Sequence, residues 1–351
     1  MIDMNNKTPE LAFLLLGGNA TIPYSECESI LKSNGVPYDE VERLDQVLIL
    51  CAPVEACQIV VRQAGMVRRG CVVLASSKKT PTSMIRAIDD LNLEHIKKPP
   101  LSFAVRVKGV KGHSKGINVS ELEKELGARI KKKMSSSRVD LENPDILFYT
   151  IITNDRALFC MNLAEAEEEG FTKRRPGFRP FFHPSSMHPR LARAMVNLSG
   201  ARLGSRFLDP FCGSGGILLE ASVIGCNAVG LDIDLEMVRG SKTNLETFAS
   251  SSFNVIAGDA RHLPLEEVDA IATDPPYGRS SSTKGKETRV LVGELFDQIT
   301  SLLGTRGKLC LSVPSDVRID EGARKELRML EEHLVRVHRS LVRRITVFSK
   351  K

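Results

Sequence analysis

RFLDPFCGSGG (residues 206–216) decides the fold of this chain. A short apolar run ends in an acid, and a glycine-rich turn then opens the helical spacing of residues 217–224. That turn lets backbone approach a ligand closely, and the helix start presents N–H groups without partners. Outward from it the pattern repeats: NAVGLDID (227–234), a helix over 236–248, FNVIAGDA (253–260) and VDAIATDPPY (268–277). Strands alternating with helical crossovers predict a mostly parallel, doubly wound sheet. Asp209, Asp232, Asp259 and Asp274 then stand at or just after the carboxyl ends of four strands. Burying such acids without partners would cost several kcal/mol each, roughly, so they point to a ligand. Asp232 follows Asp209 by the 23 residues at which an acid commonly meets ribose hydroxyls. The turn lacks G-x-G-x-x-G spacing and a Gly-Lys-Ser/Thr triplet, which disfavours a dinucleotide or an ATP phosphate.

The last third continues with a helix over 291–303, the strand LCLSVP, and HLVRVHRSLVRRITVFSK (333–350), which reads as an antiparallel edge hairpin. Upstream lies an α+β region of small units. Strands are expected at 11–16, 46–52, 70–75, 102–107 and 146–153, and helices at 24–34, 54–65, 83–91 and 119–133. Between the halves, residues 164–189 are acidic, then basic, with prolines at 176, 180, 184 and 189, and read as an extended crossing.

At 351 residues the chain exceeds one ordinary core. Its 42% hydrophobic and 26% charged residues are those of a globular protein. The apolar runs fall short of a membrane span and the N-terminus does not read as a secretory signal, so a cytoplasmic protein is expected. The eight cysteines are scattered without a C-x-x-C pair, which predicts small core residues and no zinc site. The histidines at 95, 113, 262, 333 and 338 pair with no nucleophile by sequence. The net charge of +6 is unevenly spread: residues 1–61 carry −6, whereas 62–115 carry +9. Such a concentration suits a polyanion.

DPFCGSGG, GLDID, GDA and DPPY, in that order, resemble the S-adenosylmethionine site and substrate motif of Rossmann-type amino-methyltransferases. The extension DPPYGRSSS is similar to that of the archaeal tRNA (guanine-N2) methyltransferases acting at position 10. RRPGFRPFFHPSSMHPRLARAMVNLSG (174–200) resembles that family's approach segment over the cofactor. Residues 103–160, with F-x-V-R-V-K, S-x-x-E-L-E-x-x-L-G and V-D-L-x-N-P-D, resemble a THUMP domain, an RNA-binding module of tRNA-modifying enzymes. The resemblance implies an N-terminal ferredoxin-like domain (1–60), a THUMP domain (61–163), a linker (164–180) and a Rossmann-type methyltransferase domain (181–351).

From the resemblance, S-adenosylmethionine is expected against Phe182, His183, Pro184, Ser186 and Met187 of the approach segment. Asp209, Phe211, Gly213, Ser214 and Gly215 would embrace its methionine and sugar, Asp232 and Ile233 its ribose, and Gly258, Asp259 and Ala260 its adenine, with Asp274 closing the site. Catalysis is expected from Asp274, Pro275, Pro276 and Tyr277. An exocyclic base amine is a weak nucleophile because its lone pair is delocalised into the ring. A carboxylate from Asp274 and a carbonyl from Pro275, each accepting one N–H, favour the geometry in which that lone pair attacks. The two prolines hold both acceptors with few alternative conformers, and Tyr277 offers a face for a base taken out of its stack.

The expected partner is tRNA, gripped through phosphate contacts from Arg68, Arg69, Lys78, Lys79, Lys97, Lys98, Lys108, Lys111 and Lys115. Aromatic residues are only 5% of the chain, which fits recognition of a folded RNA better than broad stacking of single strands. The expected species is a monomer, and the eukaryotic relatives allow for a small zinc-containing activator subunit. A ribosomal-RNA guanine-N2 methyltransferase, a DNA adenine-N6 methyltransferase and a non-catalytic RNA-binding module remain alternatives at this stage.

Overall fold

The computed structural model describes residues 8–93, 101–263, 265–276, 288–317, 326–338 and 341–351. In chain order the first elements are β1 (Glu10–Leu15), α1 (Ile22–Ser33), β2 (Asp39–Leu44), β3 (Val47–Cys51), α2 (Glu55–Gln63), β4 (Val67–Lys78), α3 (Pro81–Asp89), β5 (Ser102–Gly109), α4 (Val119–Lys133), β6 (Arg138–Val139), β7 (Ile146–Thr153) and β8 (Arg156–Glu165). They are followed by α5 (Glu168–Lys173), α6 (Pro189–Leu198), β9 (Arg206–Asp209), α7 (Gly216–Val223), β10 (Asn227–Asp232), α8 (Leu235–Phe248), β11 (Phe253–Ala257), β12 (Val268–Thr273), α9 (Thr288–Leu302), β13 (Leu303–Pro314), β14 (Leu327–His338) and β15 (Leu341–Lys350). No helix among the described residues is long and apolar enough to cross a membrane.

The chain divides into two compact units. One comprises residues 1–18, 35–62 and 67–166, and is built on an eight-stranded sheet of order β2-β3-β1-β4-β8-β7-β5-β6. The sequence suggests a boundary near residue 60, yet β1 pairs with β4 from Leu11 opposite Val72 to Leu15 opposite Val67, so one sheet runs through both stretches. One face buries Phe103, Phe148 and Phe159 with Met84 and Ile88 of α3 and Leu122, Leu126 and Ile130 of α4. α4 is capped by the Asn118 side chain, which accepts the Glu121 N–H at 3.2 Å, and ends in Lys131, Lys132 and Lys133, both complements to its dipole.

The other unit holds 19–34, 63–66 and 167–351. Its seven strands run β11-β10-β9-β12-β13-β15-β14. Those from β11 to β13 are parallel, and β15 and β14 add the antiparallel edge hairpin. Strand order reverses between β9 and β12, which makes their carboxyl ends the switch-point crevice where ligands bind in doubly wound sheets. Helices cover both faces: Leu191, Met195 and Leu198 of α6 pack with Leu218 and Leu219 of α7 on one, and Leu295, Phe296 and Ile299 of α9 on the other.

Two features of this unit depart from the sequence reading. The proline-rich crossing contains α5, and its last proline opens the almost wholly buried α6. Pro189 begins α6 instead of preventing it: at the first helical position its missing N–H is no loss, and His188 caps it by accepting the Arg190 N–H. The second feature is α1, which belongs with the unit of the seven-stranded sheet. Its buried Glu26 accepts hydrogen bonds from the Gly65 N–H (2.7 Å), the Met66 N–H (2.8 Å) and Asn197 Nδ2 of α6 (2.7 Å). Burial pushes that carboxyl up, and these three donors hold it in place.

Candidate active site

The turn between β9 and α7 forms the floor of the site. Gly215 lies at φ +80°, and a Cβ there would stand 2.3 Å from Ser241 Oγ of α8. Only glycine fits both the left-handed backbone and the close approach. Asn244, one turn further along α8 and fully buried, ties the approach segment to this loop. Its Oδ1 accepts the Phe181 N–H at 2.9 Å, and its Nδ2 donates to the Phe181 carbonyl at 3.0 Å and the Ser214 carbonyl at 2.9 Å. Phe181 rests on α8 where Gly240 leaves room, since a Cβ there would meet its ring at 2.1 Å. Ser186 and Ser214 share a hydroxyl hydrogen bond of 2.7 Å. The segment and the glycine turn are thus brought together.

Three arginines hold the segment from below. Arg174 donates Nε and Nη2 to Oε1 and Oε2 of the fully buried Glu220 of α7 at 2.7 and 3.2 Å, and Arg193 Nη2 of α6 lies 2.7 Å from Oε2. Arg179 fastens back on the Arg174 carbonyl through Nε at 2.8 Å. The buried Glu220 carboxylate is thus hydrogen-bonded by one arginine and ion-paired with a second; removing either would leave buried charge uncompensated.

The four acids differ in environment. Asp209, 1% exposed, accepts from the Thr273 hydroxyl at 2.7 Å and the Phe211 N–H at 3.2 Å, which bridges β9 to β12 across the switch point. Burial, with Asp274 and Asp232 nearby, pushes its carboxyl up to about 7. Asp232 accepts the Gly213 and Asp234 N–H groups, both at 2.9 Å, and burial raises it. Asp259 is paired with Arg261, whose Nε lies 2.9 Å from both carboxylate oxygens, and is held down to about 2. Asp274 pairs through Oδ2 with Arg343 Nη2 of β15 at 2.8 Å, whereas its buried Oδ1 has no hydrogen-bond partner among the described residues. Burial pushes this carboxyl up to about 6, against the pull of Arg343 and a Ser312 hydrogen bond.

Among the remaining predicted residues, Phe182 and Ile233 are 55% and 45% exposed, Ala260 is buried, and Gly258 donates its N–H to the Asp232 carbonyl at 3.0 Å. The Met187 side chain is core, so only its backbone faces the loop, its carbonyl 4.0 Å from where a Gly216 Cβ would be. His183 shares a 2.7 Å hydrogen bond with Ser185, and Pro184 is exposed. Pro275 is buried and Pro276 half-buried. Tyr277 lies outside the described residues, as do Lys97 and Lys98. In the other unit Arg68, Lys78, Lys108 and Lys115 are exposed. Arg69 is paired with Glu165, Lys79 donates to the Asn154 carbonyl at 2.7 Å, and Lys111 pairs with Asp45 at 2.6 Å. Asn244, Thr273 and Arg343 escape sequence reasoning; the cue for the last is a basic pair, Arg343–Arg344, within a mostly apolar run.

No group of three or more His, Cys, Asp or Glu side chains suited to a metal ion occurs among the described residues.

Comparison with known proteins bears on both units. The model described as "RMKL-like, methyltransferase domain" matches residues 176–345, and that of the THUMP domain matches 78–162. The tRNA (guanine(10)-N2)-dimethyltransferase of Methanothermobacter thermautotrophicus is 37% identical over 347 residues, covering 97% of this chain and 99% of that one. The enzyme of the same name from Methanocaldococcus jannaschii is 33% identical, with the same coverage. The crystal structure of TrmN from Thermus thermophilus superposes with a TM-score of 0.56 at 20% identity, over 97% of this chain and 100% of that one, and so shares its fold. With likeness at this level running from end to end, the chain belongs to the family of the archaeal tRNA (guanine(10)-N2)-dimethyltransferases.

Proposed function

We propose that this chain transfers methyl groups from S-adenosylmethionine to the exocyclic N2 of guanosine 10 in tRNA, giving N2-methylguanosine and then N2,N2-dimethylguanosine. The observation that carries the proposal is Asp274: a largely buried carboxylate at the switch point, one oxygen held by Arg343 and the other without a hydrogen-bond partner among the described residues, followed by two prolines. The relatives named for this reaction, and the THUMP match in the other unit, support the choice of tRNA.

The donor set fits a cationic nucleoside cofactor. Backbone of Gly213–Gly215 would give close approach, Asp209 would hold the amino-acid end, Asp232 and Ile233 the ribose, and Gly258, Asp259 and Ala260 the adenine, with Phe211 beside the turn. Phe182, His183, Pro184, Ser186 and the Met187 backbone would cover it, the segment being joined to the loop through Ser186–Ser214 and Asn244. S-adenosylmethionine brings an already activated methyl on its sulfonium, so the protein's work is alignment and proton removal. Asp274 Oδ1 accepts one N–H of the guanine amine and the Pro275 carbonyl the other, with Pro276 fixing the turn and Tyr277 stacking on the base. As the amine loses its proton, Oδ1 is the acceptor at hand. The monomethylated amine retains one hydrogen for a second round.

Phosphate contacts are assigned first to the exposed Arg68, Lys78, Lys108 and Lys115, with Arg69, Lys79, Lys97, Lys98 and Lys111 secondary. The active species proposed is a cytoplasmic monomer; turnover by the purified chain alone tests whether a zinc-containing activator subunit belongs to it. Methyl-labelled cofactor offered with tRNA, ribosomal RNA and DNA separates the readings. Label in N2-methylated guanosine of tRNA supports the proposal, whereas label confined to ribosomal RNA or to adenine in DNA overturns it.

A further inference from the structure

We infer that Arg343 is a positioning residue that acts through Asp274, clamping one carboxylate oxygen so that the other is fixed as the acceptor of the target amine. The inference rests on the proposed methyl transfer and deepens it. A carboxylate has two equivalent oxygens and rotates easily about its last bond. An acceptor that must meet a single N–H in one orientation needs that rotation removed.

The strand arrangement explains why an arginine from the last strand does this. The sheet places β12, β13 and β15 side by side, with β13 parallel to β12 and β15 antiparallel to β13. The carboxyl edge that ends β12 at Thr273 therefore lies level with the beginning of β15, where Arg343 stands opposite Pro314 of β13. From there the side chain reaches Asp274 across one intervening strand, and both are largely buried, at 8% and 15% exposed.

The contact geometry distinguishes this from a pairing that serves the fold alone. An arginine and a carboxylate that only stabilise each other commonly meet as a two-pronged fork that uses both oxygens. Here Nη2 takes Oδ2 alone at 2.8 Å, and Oδ1 is left buried without a hydrogen bond among the described residues. Leaving a buried oxygen without a donor is costly, and such a cost persists where a ligand supplies the missing donor.

The groups facing Asp274 give the clamp an electrostatic side. They are the Asp209 carboxyl at the end of β9, the Ser312 hydroxyl of β13 and Arg343 of β15. Burial opposes ionisation of Asp274, and Arg343 and the Ser312 hydrogen bond favour it. Losing Arg343 leaves Asp274 protonated to higher pH, with its acceptor oxygen disordered.

The test combines kinetics and a direct titration. With Arg343→Met, the acid limb of the pH–rate profile for tRNA methylation should move up by about one unit or more, and kcat should fall by about tenfold or more, with cofactor affinity within about threefold of wild type. Arg343→Lys restores the charge without the planar fork, so the acid limb should return to about its original position while kcat stays reduced. In the Asp274→Asn background, adding Arg343→Met should cost nothing further. An unmoved acid limb in Arg343→Met, or a loss that adds fully to that of Asp274→Asn, overturns the inference. Should Arg343→Met fail to fold, Arg343→Lys decides: a changed cofactor or tRNA affinity with unchanged kcat refutes the clamp. Carboxyl-13C NMR of Asp274 in wild type and Arg343→Lys, with cofactor bound, reads the pairing without turnover. A carboxyl resonance that titrates alone, insensitive to the substitution, refutes the inference even if the wild-type protein methylates a different base.

Discussion

Asp209→Asn should make the cofactor-free protein more stable at neutral and alkaline pH, and by a calculable amount. The Asp209 carboxyl is 1% exposed and pushed from 3.8 up to about 7, chiefly by burial. Because the folded value lies above the unfolded one, the folded state keeps a proton that the unfolded state has already released between about pH 4 and pH 7. Stability from this group is therefore full below the unfolded value, declines as pH rises through that window, and levels above about 7. A shift from 3.8 to about 7 amounts to at most about 4 kcal/mol at the plateau. Asparagine cannot ionise, yet its oxygen still accepts the Thr273 hydroxyl and the Phe211 N–H. Denaturant titration without cofactor should show the variant ahead of wild type by up to about 4 kcal/mol near pH 8 and by less than about 2 near pH 5. Cofactor affinity should fall by about tenfold or more, as a counter-charge to the amino-acid end is lost. A stability gain that is equal at both pH values, or a loss near pH 8, refutes the reasoning.

Three further outcomes follow from the same geometry. Asn244→Ala strands the Phe181 N–H and carbonyl and the buried Ser214 carbonyl, so it should cost about 3 kcal/mol of stability by denaturant unfolding and weaken cofactor binding measured by calorimetry. Gly215→Ala meets both a left-handed backbone and Ser241 Oγ; it should cost about 2–3 kcal/mol in unfolding experiments, with partial recovery in Gly215→Ala/Ser241→Ala. Replacing Arg68 and Lys108 together with glutamine should weaken tRNA binding and reduce the slope of log affinity against log salt by about 1–2, with cofactor affinity unchanged.

How much of this was legible in the sequence depends on the range of the interaction. Asp209, Asp232, Asp259 and Asp274 were readable because each closes a strand of a repeated local pattern, and the structure has β9, β10, β11 and β12 ending at or just before them. The α4 helix was readable for the same reason, its cap and terminal lysines lying within its own stretch. The final hairpin was recognised from two apolar runs, but the Arg343–Asp274 pair was not, because Asp274 follows a strand two positions away in the sheet. The placement of α1 escaped because Glu26 is satisfied by Gly65, Met66 and Asn197, the last 171 residues further along. α6 escaped for a local reason: a proline read as a breaker was the first residue of a helix. Acidic β2, an edge strand with the sequence DEVERL, offers too little apolar alternation to be recognised.

The central claim, that the acceptor is the exocyclic amine of one tRNA guanosine, is tested most directly by changing that amine alone. A tRNA transcript carrying inosine at position 10 keeps the ring and its carbonyl but lacks N2. Incubated with the purified chain and methyl-labelled cofactor, it should incorporate no label at that position, while the guanosine-10 transcript yields N2-methyl- and N2,N2-dimethylguanosine by nucleoside mass spectrometry. Equal incorporation into both transcripts would contradict the account.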